Sequence, residues 1–424
     1  MVHFQIQAIG PEGRIAQLKV IRMEENKKVS LKYLFFTFLK IGTISWGGFM
    51  ALIAVVQKQL VDKDKVIKEE LILDGISLAS VLPGAVAINV VTYIGYQLRG
   101  IKGALVSLVA TVFPGFLLVL GLGVLYTTYG ELALLNKFFL GILPAIAAVI
   151  LSVAIEMAGK QIKDVKQIAI CVLAAFCLLT IHSFFATLIS IIFSAIAGYF
   201  LYKIPAVKAE KSNVKRFNFN YQKLIFYTGA LLAIVLLIFL TVRLLKIDAY
   251  NWYQLNRTIF LTFSGMSLTL FGGGYVIIPA MQQVIVDGFH WMTTKEFADA
   301  IAMGQITPGP VILTATFIGY RVAGFMGACV ATFAIFFPPG LVMLMFSGFL
   351  KKIKDSNIIT AIFKGMRPAI IGMIFSAAFT VGKGAEMGWI SALIFLVVLV
   401  LLVKFKMNVL YMIPLAGIAG MLFF

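Results

Sequence analysis

Only three cysteines and three histidines occur in the 424 residues. Cys171, Cys177 and Cys329 lie in apolar segments without metal-ligand spacing, so the chain has neither a disulfide framework nor a legible metal site. The histidines are scattered and the acidic residues dispersed, which leaves no His/Asp/Glu or Cys/His constellation of the kind an enzyme needs. Nothing in the sequence calls for a cofactor. Charge is scarce too: Asp, Glu, Lys and Arg make up 13% of residues, against about a quarter in soluble domains. Residues 1–30 lack the continuous apolar core of a signal peptide and read as a cytoplasmic tail.

What is abundant is apolar sequence, 61% of the chain. Runs of about twenty apolar residues recur, each able to cross a hydrocarbon core of about 30 Å as a helix. The expected fold is an all-α polytopic membrane protein. Lys and Arg number 36 against 18 Asp and Glu, a net charge of +18. In a soluble protein that excess would suggest nucleic acid; here it reads as the positive-inside bias of cytoplasmic loops, with no nucleic-acid partner implied.

Glycine is spent oddly. Phe271–Tyr275 reads "FGGGY" within the apolar run "LTFSGMSLTLFGGGYVIIPAM", although each interior glycine weakens a helix by roughly 0.5–1 kcal/mol relative to alanine. The run has a counterpart. "TFLKIGTISWGGF" from Thr37 aligns with "TFSGMSLTLFGGG" from Thr262, which places Gly47 and Gly48 on Gly272 and Gly273. The same register carries Gln57 onto Gln282, Asp62 onto Asp287, Asp74 onto Asp299, and Pro83–Gly84 onto Pro308–Gly309. After a one-residue deletion, Gly95–Tyr96 falls on Gly319–Tyr320, Pro114 on Pro338, and Pro144–Ala145–Ile146 on Pro368–Ala369–Ile370. The chain is an internal duplication.

Hydropathy suggests about thirteen spans of roughly twenty residues. Six lie in a first membrane repeat, 31–202, namely 31–56, 71–97, 103–126, 132–158, 167–182 and 184–202. A basic linker, 203–223, and a connector helix, 224–245, follow. The second repeat, 258–424, gives 258–281, 296–320, 326–349, 358–382, 388–403 and 408–424. An unpaired connector inverts the second copy. Lys and Arg crowd the tail, Arg99/Lys102, 160–166, the linker and 351–354, all on one side if the N-terminus is cytoplasmic. Two inverted-topology repeats with discontinuous helices are the mark of secondary transporters, whose sites lie near the midplane where the broken segments meet.

The second-half elements "FGGGY", "QITPGPV", "FIGYRVAGFMGA" and "FFPPG", with their first-half versions "WGGF", "SVLPGAV", "YIGYQLRGIKGA" and "VFPG", resemble the signature of the chromate ion transporter family. The likeness covers nearly all of the chain beyond the tail and linker and is similar to long-chain members with two fused halves. It implies secondary active export of chromate across the plasma membrane, coupled to the proton gradient or membrane potential, with sulfate as the chemical mimic. The first half departs from the pattern at Ala85, opposite Pro310, and at Phe49, opposite Gly274. Alternatives within the same architecture are a transporter of another small dianion such as sulfate, or an anion channel. The partners are then the oxyanion and the lipid bilayer, with a homodimer left open.

A dianion held out of water needs donors in place of its hydration shell. Helix N-termini supply free N–H groups and partial positive charge. The breaks at Pro83–Gly84 and Thr307–Pro308–Gly309–Pro310 would create them, with Ser80, Asn89, Gln305, Thr307 and Thr314 as neighbouring donors. The Gly47–Gly48 and Gly272–Gly273–Gly274 runs would let the backbone break or pack closely. The plainer reading is that Pro kinks and small residues let helices pack, and that hydroxyls bond back to their own helix. Fixed cations within spans are costly in lipid and point to Lys40 and Arg367, with Lys364 beside them, unless these snorkel to the interface. Proton coupling would need a titratable group, and Asp74 and Asp299, equivalent by repeat, are the candidates.

Overall fold

The computed structural model describes residues 29–46, 48–129, 133–181, 184–202, 249–271, 274–347, 357–383, 388–407 and 409–424. Among them the chain is helical, without a strand. The linker and the connector expected at 224–245 lie outside the described residues.

Polar caps start the helices that follow loops. Ser30 accepts from the Tyr33 amide at 3.1 Å and opens α1 (Leu31–Ile44). α2 (Gly48–Gln57) runs into a π turn, Lys58–Lys63, and α3 (Glu69–Ala79) follows. Then come α4 (Val86–Tyr129), α5 (Ala133–Gln161), α6 (Val165–Thr180), capped by Asp164, and α7 (Phe184–Tyr202). The second half begins with α8 (Ala249–Thr269), a 3-10 turn at Gly274–Val276, and α9 (Ile277–Gln282), which runs into a π turn, Gln283–Gly288. Next are α10 (Thr294–Gln305), with a Thr293/Glu296 capping box, a 3-10 turn at Val311–Leu313, and α11 (Thr314–Phe346). The chain ends with α12 (Asn357–Lys383), α13 (Trp389–Val403) and α14 (Val409–Phe423).

Two of these helices are hairpins. α4 leaves helical geometry at Arg99 (φ −144°, ψ 23°) and Gly100 (φ 62°, ψ −152°). A β-carbon on Gly95 would lie 2.5 Å from the carbonyl oxygen of Gly103, whereas eight residues of straight helix span about 12 Å. The chain therefore doubles back at Gly100. α11 does the same at Ala323 (φ −137°, ψ 26°) and Gly324 (φ 62°, ψ −154°), with Gly319 against Gly327. Duplication is thus visible in backbone angles as well as in sequence.

The segments 31–56, 71–97, 258–281 and 296–320, each expected as one span, are interrupted by a break between two helices. By length and apolar composition, Val86–Tyr129, Asn136–Gln161, Val311–Phe346 and Ile358–Lys383 each hold a stretch able to cross a membrane, the first and third of them in helices that fold back on themselves. The described parts of α6, α7, α13 and α14 are apolar helices of 16, 19, 15 and 15 residues.

Lipid tails are as apolar as leucine, so helices here associate by close packing rather than by escape from water. α5 and α12 pack together; α13 and α14 clasp α5, while α6 and α7 clasp α12. Each half thus grips the long helix of the other. The contacts are backbone-close: a β-carbon on Gly141 would lie 2.2 Å from the Ala416 oxygen, and one on Gly365 would lie 2.1 Å from the Ser194 oxygen. Phe193, Phe200, Trp389 and Leu422, 68% to 75% exposed, form part of an apolar exterior suited to lipid.

Candidate functional site

The four helix breaks are the polar interruptions of an apolar interior, and they meet in crossed pairs. α1 ends at Ile44, and the Ser45 hydroxyl donates to the Ile41 carbonyl at 2.5 Å. α3 ends at Ala79, the chain turns through Gly84 at φ +106°, and α4 starts at Val86. In the second half α8 ends at Thr269; α10 ends at Gln305, and the chain turns through Gly309 at φ +113°. The Gly84 amide donates to the Leu270 carbonyl at 2.6 Å, and the Gly309 amide to the Ser45 carbonyl at 3.0 Å. Gly84 and Gly309 are equivalent in the repeat, as are Ser45 and Leu270. Each half therefore satisfies a backbone group orphaned by a break in the other, which buried peptide groups require.

Packing reinforces this crossing. A β-carbon on Gly84 would lie 2.2 Å from Pro339 Cβ, and one on Gly115 would lie 2.5 Å from the Pro308 oxygen. Within the second half, Gly274 approaches Ile312, its β-carbon position 3.2 Å from Ile312 Cγ2. Gly48 opens α2, whereas Gly47, Gly272 and Gly273 lie outside the described residues.

Most of the expected side-chain donors are engaged locally. The Asn89 amide, 1% exposed, donates to the Pro83 carbonyl at 2.8 Å and ties its own break shut. Thr307 donates to the Gly304 carbonyl at 3.2 Å, Thr314 to that of Val311 at 2.8 Å, and Ser80 to that of Ser77 at 3.0 Å. This is the back-bonding that hydroxyls favour in apolar helices. Gln305 differs: its Oε1 accepts from the Tyr275 hydroxyl at 3.3 Å, and its buried Nε2 makes no hydrogen bond among the described residues. A buried amide nitrogen beside two helix breaks is a donor held in reserve.

The cations are less central. Lys40 is exposed on α1. Arg367 is exposed in mid-α12, its guanidinium 6.0 Å from the ring of Phe363, on the helix that packs against Gly274–Gln282. Lys364 lies over Tyr202 at 5.7 Å. The two carboxylates are not alike. Asp74 is half-buried on α3, with Tyr93 in electrostatic range. Asp299 is 0% exposed and accepts from the Tyr126 hydroxyl at 2.8 Å. Tyr126 was not among the sequence candidates, because its partner lies in the other half and no spacing links them. Among the described residues no group of His, Cys, Asp and Glu gathers to hold a metal ion.

Two carboxylates in the connections between helices are tuned by their neighbours. The Tyr202 hydroxyl, at 2.7 Å, and the Gln167 amide hold Asp164 below the usual carboxylate range. Burial pushes Asp64 up, but hydrogen bonds from Tyr33 and Gln59 outweigh it and leave that carboxyl lowered as well.

The family model described as Chromate transporter matches the chain twice, over residues 32–199 and 257–421. A chromate transport protein of Cupriavidus metallidurans is 31% identical over 377 residues, covering 89% of each chain. An uncharacterized transporter of Methanocaldococcus jannaschii is 30% identical over 406 residues, 95% of this chain and 96% of its own. A probable chromate transport protein of Synechococcus elongatus is 30% identical over 421 residues, 93% of this chain and 96% of its own. No solved structure matches. With one match in each half, on the same stretches whose breaks interlock, the chain belongs to the chromate transporter family.

Proposed function

We propose that this membrane protein is a secondary active transporter that moves chromate, with sulfate as its analogue, outward across the plasma membrane. The N-terminus is cytoplasmic, and the second repeat lies inverted relative to the first. The observation that carries the reading is the reciprocal pair of hydrogen bonds, Gly84 to Leu270 and Gly309 to Ser45, which joins the broken helices of the two halves.

Chromate is a tetrahedral dianion, and the breaks supply what such an ion needs on leaving water. The N-terminus of α4 faces the break at 80–85, that of α11 follows the break at 306–310, and Gln305 Nε2 is unengaged. The remaining Asn89 amide hydrogen and Arg367 add a neutral and a charged donor. Lys40 serves as a second positive charge at the approach. Exchange of the crossed hydrogen bonds as the halves rock would open the site alternately to either side. The proton gradient or the membrane potential drives export, and one carboxylate of the repeat-related pair Asp74 and Asp299 carries the proton.

The test is radiolabelled chromate flux in proteoliposomes with an imposed pH difference or voltage. Accumulation against the chromate gradient is expected. Flux that is only downhill indicates a channel, and sulfate accumulation without chromate accumulation reassigns the cargo.

A further inference from the structure

We propose that proton coupling belongs to one half alone: Asp299 is the proton site, Tyr126 is the residue that positions it across the interface between the halves, and Asp74 carries no coupling proton. This rests on the transport reading above and narrows it.

Three observations converge. First, Asp299 is 0% exposed, yet among the described residues its Oδ1 makes no hydrogen bond. A sealed carboxylate with one oxygen unpartnered is a high-energy arrangement that a proton relieves. Second, its Oδ2 is held by Tyr126, a residue of the first half, at 2.8 Å. That hydroxyl is itself fixed by its ring, which packs edge-on against Phe139 at 5.7 Å and Phe317 at 5.4 Å. Any movement of α10 relative to α4 stretches this hydrogen bond, so the charge state of Asp299 and the relative position of the halves are linked.

Third, the two repeat-related carboxylates differ in enclosure. Asp299 is sealed from solvent, whereas Asp74 is half-buried on α3. The duplication supplied two carboxylates, and the one in the second half is the enclosed one.

The titratable and charged groups around Asp299 are few. Tyr126 comes from α4, and Lys295 and Glu296 lie on its own helix. Arg321 of α11 is paired with Glu296 at 2.9 Å, and Lys295 is held by Asn136 of α5 at 3.1 Å. Lys137 of α5, Tyr129 of α4 and Tyr320 of α11 also lie on helices packed against α10. The ion pair and the Lys295 contact involve more exposed groups at the start of α10, and the sealed carboxylate sits beyond them with Tyr126.

When the halves shift, the Tyr126 hydroxyl leaves Oδ2 and the carboxylate takes one proton from water on one side. Return of the hydroxyl favours the charged form and releases that proton on the other side. Tyr126 keeps its own proton throughout.

The test combines infrared difference titration of the full-length protein in liposomes with chromate flux under an imposed pH difference. The component of the protonated-carboxyl band at the high frequency of a carbonyl sealed from water is expected to appear as pH falls, to vanish in Asp299→Asn, and to persist unchanged in Asp74→Asn. In Tyr126→Phe its midpoint should rise by about one to two pH units, the worth of a hydrogen bond to a charged acceptor. Asp299→Asn should lose the pH-difference dependence of flux but keep downhill flux, whereas Asp74→Asn keeps both. A high-frequency component that survives Asp299→Asn, or pH coupling lost in Asp74→Asn and retained in Asp299→Asn, overturns the proposal. Absence of chromate flux in the wild type overturns the transport reading instead, and the infrared titration still decides whether Asp299 binds the proton.

Discussion

Lys65 and His290 share a left-handed backbone, φ 50° and 52°, at positions the repeat makes equivalent. Each follows a π turn, Lys58–Lys63 in one half and Gln283–Gly288 in the other. Positive φ strains residues other than glycine, though histidine adopts it more readily than lysine. Lys65→Gly and His290→Gly should therefore each stabilise the protein, by about 0.5–1 kcal/mol after the greater freedom of glycine in the unfolded chain is counted. Thermal unfolding in detergent is the measurement, and a lower midpoint for both variants would contradict the shared geometry.

Gly84→Ala and Gly309→Ala separate backbone strain from crowding. Both positions lie at positive φ, +106° and +113°, but only the Gly84 β-carbon would meet the ring carbons of Pro339, at 2.2 Å and 2.8 Å. At Gly309 the neighbour is the end of Leu313, at 3.1 Å, which can move aside. Gly84→Ala should be the more damaging by about 1–3 kcal/mol, the usual range for overpacking. Comparison of thermal midpoints and of chromate flux checks the order.

Gln305→Leu removes the unengaged buried donor with little change in size. A hydrogen bond to a charged group is worth about 1.5–3 kcal/mol, so half-saturation for chromate should rise roughly tenfold to a hundredfold. The amount of protein in the membrane should stay the same. Unaltered concentration dependence would remove Gln305 from the site.

Arg367→Gln keeps a polar side chain but discards the charge. Flux of chromate should be abolished or sharply reduced while insertion is intact, because a dianion in a site of low dielectric depends on a nearby cation. Wild-type flux in this variant would show that Arg367 stays outside the path.

Asp164 gives a pH-dependent expectation. Its carboxyl is held below the ordinary value of 3.8, first by the Tyr202 hydroxyl. A lowered folded-state value stabilises the protein above the unfolded value and ceases to do so as pH falls through the folded one. Tyr202→Phe should therefore lower the melting temperature at neutral pH, with the difference shrinking below about pH 4. A difference that stays constant into acid would mean that the bond to Asp164 contributes nothing.

The breaks were legible because glycine and proline cannot hide in an apolar helix: the Pro83–Gly84 and Pro308–Gly309 turns lie where the sequence puts them. The duplication was legible for the same reason, and the hairpins at Gly100 and Gly324 match the expected separation of spans. Other features leave no local trace. The bonds from Gly84 to Leu270 and from Gly309 to Ser45 are made by backbone, so side-chain identity does not encode them. Asn89 and Thr314 look like free donors in sequence, yet both spend a hydrogen bond on the nearest carbonyl. Asp74 and Asp299 look equivalent, and they diverge because one meets Tyr126 from the distant half.

The clasp of each long helix by the closing helices of the opposite half governs the order of assembly during synthesis. Gly141 finds its neighbours only when Ala416 and Gly420, far along the second repeat, have emerged. The early half must wait in the bilayer with its grip unfilled until the second repeat is made.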